Sequence, residues 1–189
     1  MFNSFSDSDD GRKWDANLIT NDITILPHVY LGSLMAIDEK ELFERNIKWI
    51  VNCCHELQSN AYPRISNIDE FNILNIPLKD KSTEELSKVK VFDRVIKFAS
   101  DALEAKEAMI IHCQRGISRS AAVTIGMIML VKQMDFDDAF DMVASKRDVI
   151  NPNIGFIFQL ESLLGDCADD DNDENKSKND DKTIEITSW

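Results

Sequence analysis

A single cysteine, Cys113, follows an apolar run and precedes a short polar loop in the stretch IIHCQRGISRSAA, residues 110–122. Gly116 lies within that loop, Arg119 closes it, and Ser120 comes next. Glycine permits a tight turn, and a planar guanidinium can bind two oxygens of one phosphate group. Because a thiolate beside a bound phosphate is a nucleophile, this spacing predicts covalent chemistry on a phosphate ester. A cysteine that is only packed in the core is the alternative.

The elements around the loop are expected to keep that sulfur ionised. AMIIHC, residues 108–113, predicts a fully buried strand, and SAAVTIGMIMLVKQ, residues 120–133, predicts a central helix because it is apolar on nearly every face. Such a helix directs the positive end of its dipole at the loop, whose backbone amides can cradle an anion without metal. Together with the Ser120 hydroxyl, these donors are expected to lower the pKa of Cys113 below that of an ordinary thiol.

Apolar runs with strand-like and helix-like periods alternate along the chain, which is typical of an α/β domain. Residues 22–33 predict two short strands around Pro27, and residues 47–54 and 71–78 predict one strand each. With the strand that ends at Cys113, these segments predict a sheet of parallel character.

Helices are predicted between these strands from apolar residues three and four positions apart. A short helix in EKELFERN is expected to bury Leu42 and Phe43. A longer helix is predicted from the apolar stripe of Val89, Phe92, Ile96, Ala99 and Leu103. Two further helices are predicted to begin at the cap residues Asp137 and Asn151, the second with Pro152 in its first turn.

Composition and charge limit both the architecture and the partners of this chain. Its 189 residues are 43% hydrophobic, so we expect one domain at residues 22–165, after a flexible extension at 1–21 and before a disordered acidic tail at 166–189. The formal net charge is −13, which does not favour nucleic acid or an anionic membrane as a partner. No apolar segment is long enough to span a bilayer, so we expect a soluble protein of the cytoplasm, with the nucleus as a second location.

The loop HCQRGISRS resembles the H-C-x-x-G-x-x-R-[ST] signature of the cysteine-dependent protein tyrosine phosphatases, and GISRSA is similar to their dual-specificity branch. The resemblance extends through ILPHVYLGS, IVNCC, NIPLKD and KRDVINPNIGFIFQL, so that it covers residues 22–164. It implies the α/β fold of that family, a three-layer domain in which helices flank a central mixed, mostly parallel sheet. The chain resembles the small, atypical, single-domain type.

The resemblance implies a role for each residue of the loop. Cys113 would attack phosphorus and form a phosphocysteine intermediate, while Arg119 and the backbone of residues 114–119 stabilise the equatorial oxygens. Ser120 would donate a hydrogen bond to the sulfur, cap the following helix, or do both. The Arg115 side chain is expected to point to solvent, and the alternative is that it attracts a second acidic group. The residues expected to shape the loop and hold the substrate are His112, Gln114, Arg115, Gly116, Ile117 and Ser118.

The general acid is expected in a loop well upstream of the cysteine. Asp80 ends NIPLKD, where the family keeps this acid, and it would protonate the leaving oxygen and then activate water. A solvated loop acid or a helix N-cap is the alternative for Asp80. Glu84 is the fallback acid.

The run CCHE, residues 53–56, invites a metal or a redox interpretation. Neighbouring strand residues point to opposite faces, so two adjacent cysteines do not easily converge on one ion, and we expect no metal site. Phosphoinositide-directed relatives carry a cysteine at the position of Cys54 that can pair with the catalytic sulfur. The resemblance therefore implies a reversible disulfide between Cys54 and Cys113, and two packed strand cysteines are the alternative.

The resemblance implies a metal-independent protein phosphatase without a cofactor, a signalling hydrolase for phosphotyrosine and for phosphoserine or phosphothreonine. Its partner would be a phosphorylated protein, for which a protein kinase is one candidate, and the chain is expected to be a monomer or a weak dimer. The loop residues QRGIS contain no lysine of the kind that lipid-directed members tend to carry. A phosphatase for a non-protein phosphate such as a phosphoinositide is one alternative. The other is a pseudophosphatase that binds phosphoproteins without turnover.

Overall fold

The computed structural model describes residues 13–57, 62–86 and 90–164, in which a five-stranded sheet carries helices on both faces. The predicted acidic tail and most of the predicted N-terminal extension lie outside the described residues. The strands are β1 (Ala16–Thr20), β2 (Val29–Ser33), β3 (Ile47–Cys54), β4 (Asn72–Leu78) and β5 (Ala108–Cys113).

The strands lie in the order β1-β2-β5-β3-β4, and only β1 runs antiparallel to its neighbour. The predicted mixed, mostly parallel sheet is therefore confirmed. Because the other four strands run in one direction, their carboxyl ends meet along one edge, which we call the carboxyl edge. In open sheets of this kind ligands bind at that edge. The central strand β5 delivers Cys113 to it, beside Ser33 of β2.

Helices cover both faces of this sheet and make three layers. On one face, Leu42 of the first helix shares an apolar cluster with Ile47 and Ile50 of β3. On the other face, a larger apolar core joins Val51 and Ile111 of the sheet to the remaining four helices. No helix in the described ranges combines the length and the apolar character needed to cross a membrane. The helices are α1 (Glu39–Glu44), α2 (Val91–Glu104), α3 (Arg119–Lys132), α4 (Phe136–Ala144) and α5 (Ile154–Glu161).

The central helix is α3, as its all-round apolar sequence predicts. Every residue from Arg119 to Met129 is buried, and α2, α4 and α5 all contact this helix. Gly126 permits a close approach of α2, because a Cβ at this position would clash with the Phe92 ring. Since α3 begins directly after the loop that follows β5, its positive end lies at the carboxyl edge.

The first strand is not where the sequence predicts it. Residues 23–26 turn instead of forming a strand, and β1 lies earlier, within the segment predicted to be a flexible extension. The Asp22 side chain explains the turn, because it accepts hydrogen bonds from the amide and the hydroxyl of Thr24. The turn leaves Ile23 and Ile25 exposed rather than paired in the sheet.

Two predicted helix caps are also wrong. The Asp135 carboxylate, and not Asp137, caps α4 by accepting a hydrogen bond from the Asp138 amide at 2.9 Å. In α5 the cap is Asn153, two residues after the predicted Asn151. In both cases residues that can cap a helix lie two positions apart in the sequence, and only the backbone conformation determines which of them is the cap.

The buried faces of α1 and α2 follow the predicted periods with small shifts. Leu42 is buried as predicted, but Phe43 is exposed, with its ring against Phe71 and under the ammonium group of Lys48. Val89 lies outside the described residues, and Ala99 of the predicted stripe is buried. The fully buried face of α2 consists of Val91, Val95, Ala99 and Ala102. The half-buried residues beside that face include Phe92, Ile96 and Leu103.

Candidate active site

The loop after β5 curls around the sulfur of Cys113. The Gly116 amide donates a hydrogen bond to Sγ at 3.2 Å, and Gly116 has the left-handed backbone conformation, with φ of 66°. A Cβ at this position would lie 2.6 Å from the backbone carbonyl of Gly32. Only glycine therefore fits here, because both the conformation and the space exclude a side chain.

The pKa of the Cys113 thiol is set by opposing effects. Burial, the largest single effect, raises it, because an ionised sulfur loses its hydration. The Ser120 hydroxyl, which donates to Sγ at 3.2 Å, lowers it, and so do the backbone amides of Ser120, Arg115 and Ile117. These hydrogen bonds together outweigh burial, so the net pKa lies below the ordinary value. The lowered pKa favours the thiolate, which is the nucleophilic form of a cysteine.

The Arg119 guanidinium is buried at the start of α3. Its Nη1 donates to the Glu56 carboxylate at 2.6 Å and to the Leu78 carbonyl at 3.3 Å. Burial opposes its charge, but the Glu56 hydrogen bond and the Cys113 charge more than compensate and raise the pKa of Arg119. Its Nε is buried without a hydrogen-bond partner among the described residues. Because buried polar atoms are normally satisfied, this N–H is available for a ligand anion.

Asp80 belongs to a loop, residues 79–86, that lies at the carboxyl edge of the sheet. The Asp80 Oδ1 accepts hydrogen bonds from the Ser118 hydroxyl at 2.6 Å and from the Asn153 side-chain amide at 2.9 Å. The Asn153 backbone amide in turn donates to the Ser118 hydroxyl at 3.1 Å. This triangle fixes the Asp80 carboxylate to both the cysteine loop and α5. Glu84, the fallback acid, is held elsewhere, with its carbonyl accepting from Gln159 at 2.9 Å.

Most of the predicted site residues line one open cavity of about 490 Å³. Asp80, Cys113 and Arg119 all line it, whereas Glu84 does not. Behind the lining, Ser120, Gly116 and His112 are buried and support the loop from within. The Arg115 side chain is exposed at the rim, in agreement with the predicted solvent-facing orientation. The remaining lining residues are Gln114, Ile117, Ser118, Asn151, Pro152, Asn153, Ile154 and Ile157.

His112 lies away from the cavity and contacts Tyr62. The Tyr62 hydroxyl and His112 Nε2 are 3.0 Å apart, and both side chains are buried. Burial above all, together with the nearby Arg119 charge, lowers the pKa of His112 to about 3. A neutral imidazole in this position supports the strand end and the loop, and it does not reach the substrate space.

Arg147 holds the loop from outside, a contact that is not predicted from the sequence. The Arg147 Nε donates to the Gly116 carbonyl at 3.0 Å, while its two other nitrogens donate to Asn17 and Asp15 at 2.9 Å each. These contacts tie the loop to the segment that contains β1. The sequence around Arg147, KRDVINPN, does not indicate that this arginine turns back to the loop. The same holds for Glu56, which the sequence suggested only as part of a metal cluster.

Cys53 and Cys54 end β3 in the same buried cluster as Cys113, and all three are free thiols. Burial, and after it the Cys113 charge, raises the pKa of Cys54 to about 12 and also raises that of Cys53. Both cysteines belong to this buried cluster although neighbours on a strand normally face opposite sides. The Cys54–Cys113 disulfide stays a prediction. Within the described ranges, no three His, Cys, Asp or Glu side chains are grouped to hold a metal ion.

The chain is similar to dual specificity phosphatases both in sequence and in fold. The family model "Dual specificity phosphatase, catalytic domain" matches residues 29–163. Dual specificity protein phosphatase 8 of Mus musculus is 37% identical over 137 residues, which are 72% of this chain and 20% of that protein. The chain therefore spans about a fifth of the length of this curated relative.

Two solved human structures have the same fold. The structure of human DUSP28 is 26% identical, with a TM-score of 0.66, and the match covers 80% of this chain and 95% of that one. The human tyrosine phosphatase-like serine/threonine/tyrosine-interacting protein is 24% identical, with a TM-score of 0.67. That match covers 82% of this chain and 99% of the other.

The tight packing around Gly116 gives a testable prediction. We expect Gly116→Ala to lower the free energy of unfolding by about 2–4 kcal/mol, because alanine is strained in the left-handed backbone conformation and its Cβ would clash with Gly32. Urea unfolding followed by circular dichroism measures this change. Ser100→Ala, at an exposed position in α2, serves as the control and should shift the free energy by less than about 0.5 kcal/mol. Equal stability of the two variants would contradict the packing described here.

Proposed function

We propose that this chain, which belongs to the dual specificity phosphatase family, removes phosphate from phosphotyrosine and from phosphoserine or phosphothreonine in proteins. The observation that carries the proposal is the buried Arg119 Nε–H, which has no partner among the described residues, in the same cavity as a sulfur whose pKa is lowered. A phosphate group in that cavity satisfies the donor and meets the nucleophile at once.

The phosphate would bind through charge and backbone dipoles. Arg119 offers Nε and its second terminal nitrogen to two equatorial oxygens, because Glu56 occupies only Nη1 on the other side. The amides of the loop and the positive end of α3 add donors that are already in place before the substrate arrives. The Glu56 carboxylate keeps the guanidinium in position without taking the donors that the phosphate needs.

In the first chemical step the Cys113 sulfur attacks phosphorus. An S–P bond forms as the P–O bond to the substrate oxygen breaks, so the phosphoryl group moves to the enzyme as phosphocysteine. The leaving oxygen receives a proton from Asp80. Because Asp80 Oδ1 accepts two hydrogen bonds, Oδ2 is the oxygen that would carry this proton.

The second step returns the enzyme to its starting state. The Asp80 carboxylate, now ionised, takes a proton from water, and the water oxygen attacks phosphorus while the S–P bond breaks. The Ser120 hydroxyl stabilises the sulfur as it leaves with the electron pair of that bond. Inorganic phosphate departs and the thiolate is regenerated, so that no metal or other cofactor enters the cycle.

Hydrolysis of an aryl phosphate in the presence of a chelator tests this function. We expect turnover by the wild-type chain and a loss of at least about a thousandfold in Cys113→Ser, because the alcohol is a far weaker nucleophile at neutral pH. Calorimetry should show that Cys113→Ser still binds a phosphotyrosine peptide. Undiminished turnover by this variant would place the nucleophile elsewhere. A wild-type chain that binds the peptide without turnover would be a binding module instead.

The role of Asp80 predicts a dependence on the leaving group. We expect Asp80→Asn to slow the hydrolysis of a phosphoserine peptide by roughly a hundredfold, and that of an activated aryl phosphate much less, because a good leaving group needs little protonation. The kcat/KM for each substrate measures the difference, because it reports the first step, whereas kcat also includes the second step that both substrates share. The matched control is Glu84→Gln, on the same loop but outside the cavity, which should leave both rates unchanged. Equal slowing of the two substrates by Asp80→Asn, or a large effect in the control, would contradict the assignment.

A further inference from the structure

Two faces of α5 are fully used by the fold. Phe156 and Leu160 are buried in the main core. The Gln159 side chain binds the loop of residues 79–86, since its Oε1 accepts from the Leu86 amide at 2.8 Å and its Nε2 donates to the Glu84 carbonyl at 2.9 Å. These contacts fix the rotation of the helix about its axis and thereby determine which side chains it leaves exposed.

The third face of α5 is apolar and exposed. Ile154 is 55% exposed and Phe158 is 62% exposed. They are four residues apart, about 6 Å along the axis, so they lie on the same side of the helix. Ile157 is half-buried and neighbours Ile154 on this surface. We call Ile154, Ile157 and Phe158 the α5 shelf.

The α5 shelf is continuous with the candidate active site. Ile154 and Ile157 line the same cavity as Cys113 and Arg119. Phe158 extends this apolar surface away from the cavity mouth. When a substrate side chain enters the cavity, the neighbouring residues of the substrate therefore lie on an apolar surface. Contiguous exposed apolar surface next to a pocket is typical of a binding region.

An extended peptide fits this arrangement in length. Side chains two residues apart in an extended chain point to the same side and are about 7 Å apart. Ile154 lines the cavity and Phe158 lies about 6 Å farther along the α5 axis, so this spacing matches the distance between the phosphoresidue and a side chain two positions away. A second copy of the chain fits less well, because two exposed side chains of at most about 250 Å² each fall short of the roughly 800 Å² per partner in a specific interface.

We propose that the α5 shelf binds an apolar side chain located two positions from the phosphoresidue of a phosphoprotein substrate. This inference rests on the proposed phosphatase activity and specifies the class of substrate for the same site. In this proposal Phe158 is a specificity residue. It contacts the flanking side chain of the substrate and does not take part in the chemical steps.

Matched phosphopeptides test the proposal with the full chain. Two peptides differ only in having Leu or Ala two positions before the phosphotyrosine, and a second pair has the same change two positions after it. We expect kcat/KM to favour Leu by roughly tenfold in one of the two pairs. In Phe158→Ala the preference in that pair should fall to about twofold or less. The ratio between two peptides cancels any effect of the substitution on stability or on the chemical step.

Ile23→Ala is the matched control for this experiment. Ile23 is 61% exposed, like Phe158, but it lies in the turn before β2, near the amino ends of the parallel strands. The Leu preference should persist unchanged in this variant.

Other outcomes separate the two proposals. Hydrolysis of all four peptides at equal rates, or a Leu preference that survives in Phe158→Ala, would overturn the shelf and leave the phosphatase activity intact. A dimer seen by sedimentation that Phe158→Ala dissociates would show that a second copy covers the shelf, and would overturn it as well. Hydrolysis of none of the peptides would overturn both proposals.

Discussion

The rest of this structure depends on the hydrogen bonds to the buried Cys113 sulfur, which stabilise its ionised form. Burial alone would keep Cys113 protonated, so every donor around it has to be in place before the substrate binds. The donors belong to a single loop of a few residues, and their directions follow from its backbone conformation. The loop therefore has to be rigid, which explains why Gly116 packs directly on Gly32 and why a buried arginine braces its carbonyls.

The fold meets this requirement by bringing distant segments to one edge of the sheet. β5 is the central strand and ends at Cys113, and α3 begins at once after the loop with its whole first part buried. The proposed acid comes from a different loop, which Ser118 and Asn153 hold at the Asp80 carboxylate. Because Asn153 also caps α5, the same residue positions the acid and sets where that helix begins. The exposed apolar face of α5 is thus placed beside the cavity by the contacts that organise the chemistry.

Sequence reasoning succeeds where the signal is local. The buried strand, the glycine turn and the apolar helix are consecutive, so the positions of Cys113, Arg119 and Ser120 follow from a stretch of thirteen residues, 110–122. It fails where a residue acts across the fold. Arg147 binds Asp15, and Arg119 binds Glu56. The residues adjacent to each arginine do not indicate which carboxylate it binds.

Errors in the predicted elements have a similar origin. The apolar and β-branched residues after Asp22 look like a strand, but an Asp–Thr hydrogen bond closes a turn there, and the edge strand forms from the preceding segment. The caps at Asp135 and Asn153 compete with nearby residues of the same type, and the backbone conformation decides between them. Asn151 binds the cysteine loop instead, because its backbone amide donates to the Ile117 carbonyl at 2.8 Å.

The most direct measurement is a titration of the Cys113 thiolate by its ultraviolet absorbance, in the wild-type chain and in Ser120→Ala. A lowered pKa means that the sulfur stays ionised to a lower pH than an ordinary thiol does, and that the thiolate is lost as the pH falls through that lowered pKa. We expect the wild-type sulfur to titrate below the range of an ordinary thiol, and the midpoint to rise when the Ser120 hydroxyl is removed. A wild-type sulfur that titrates at or above the range of an ordinary thiol, or a midpoint that does not respond to Ser120→Ala, would contradict the central claim.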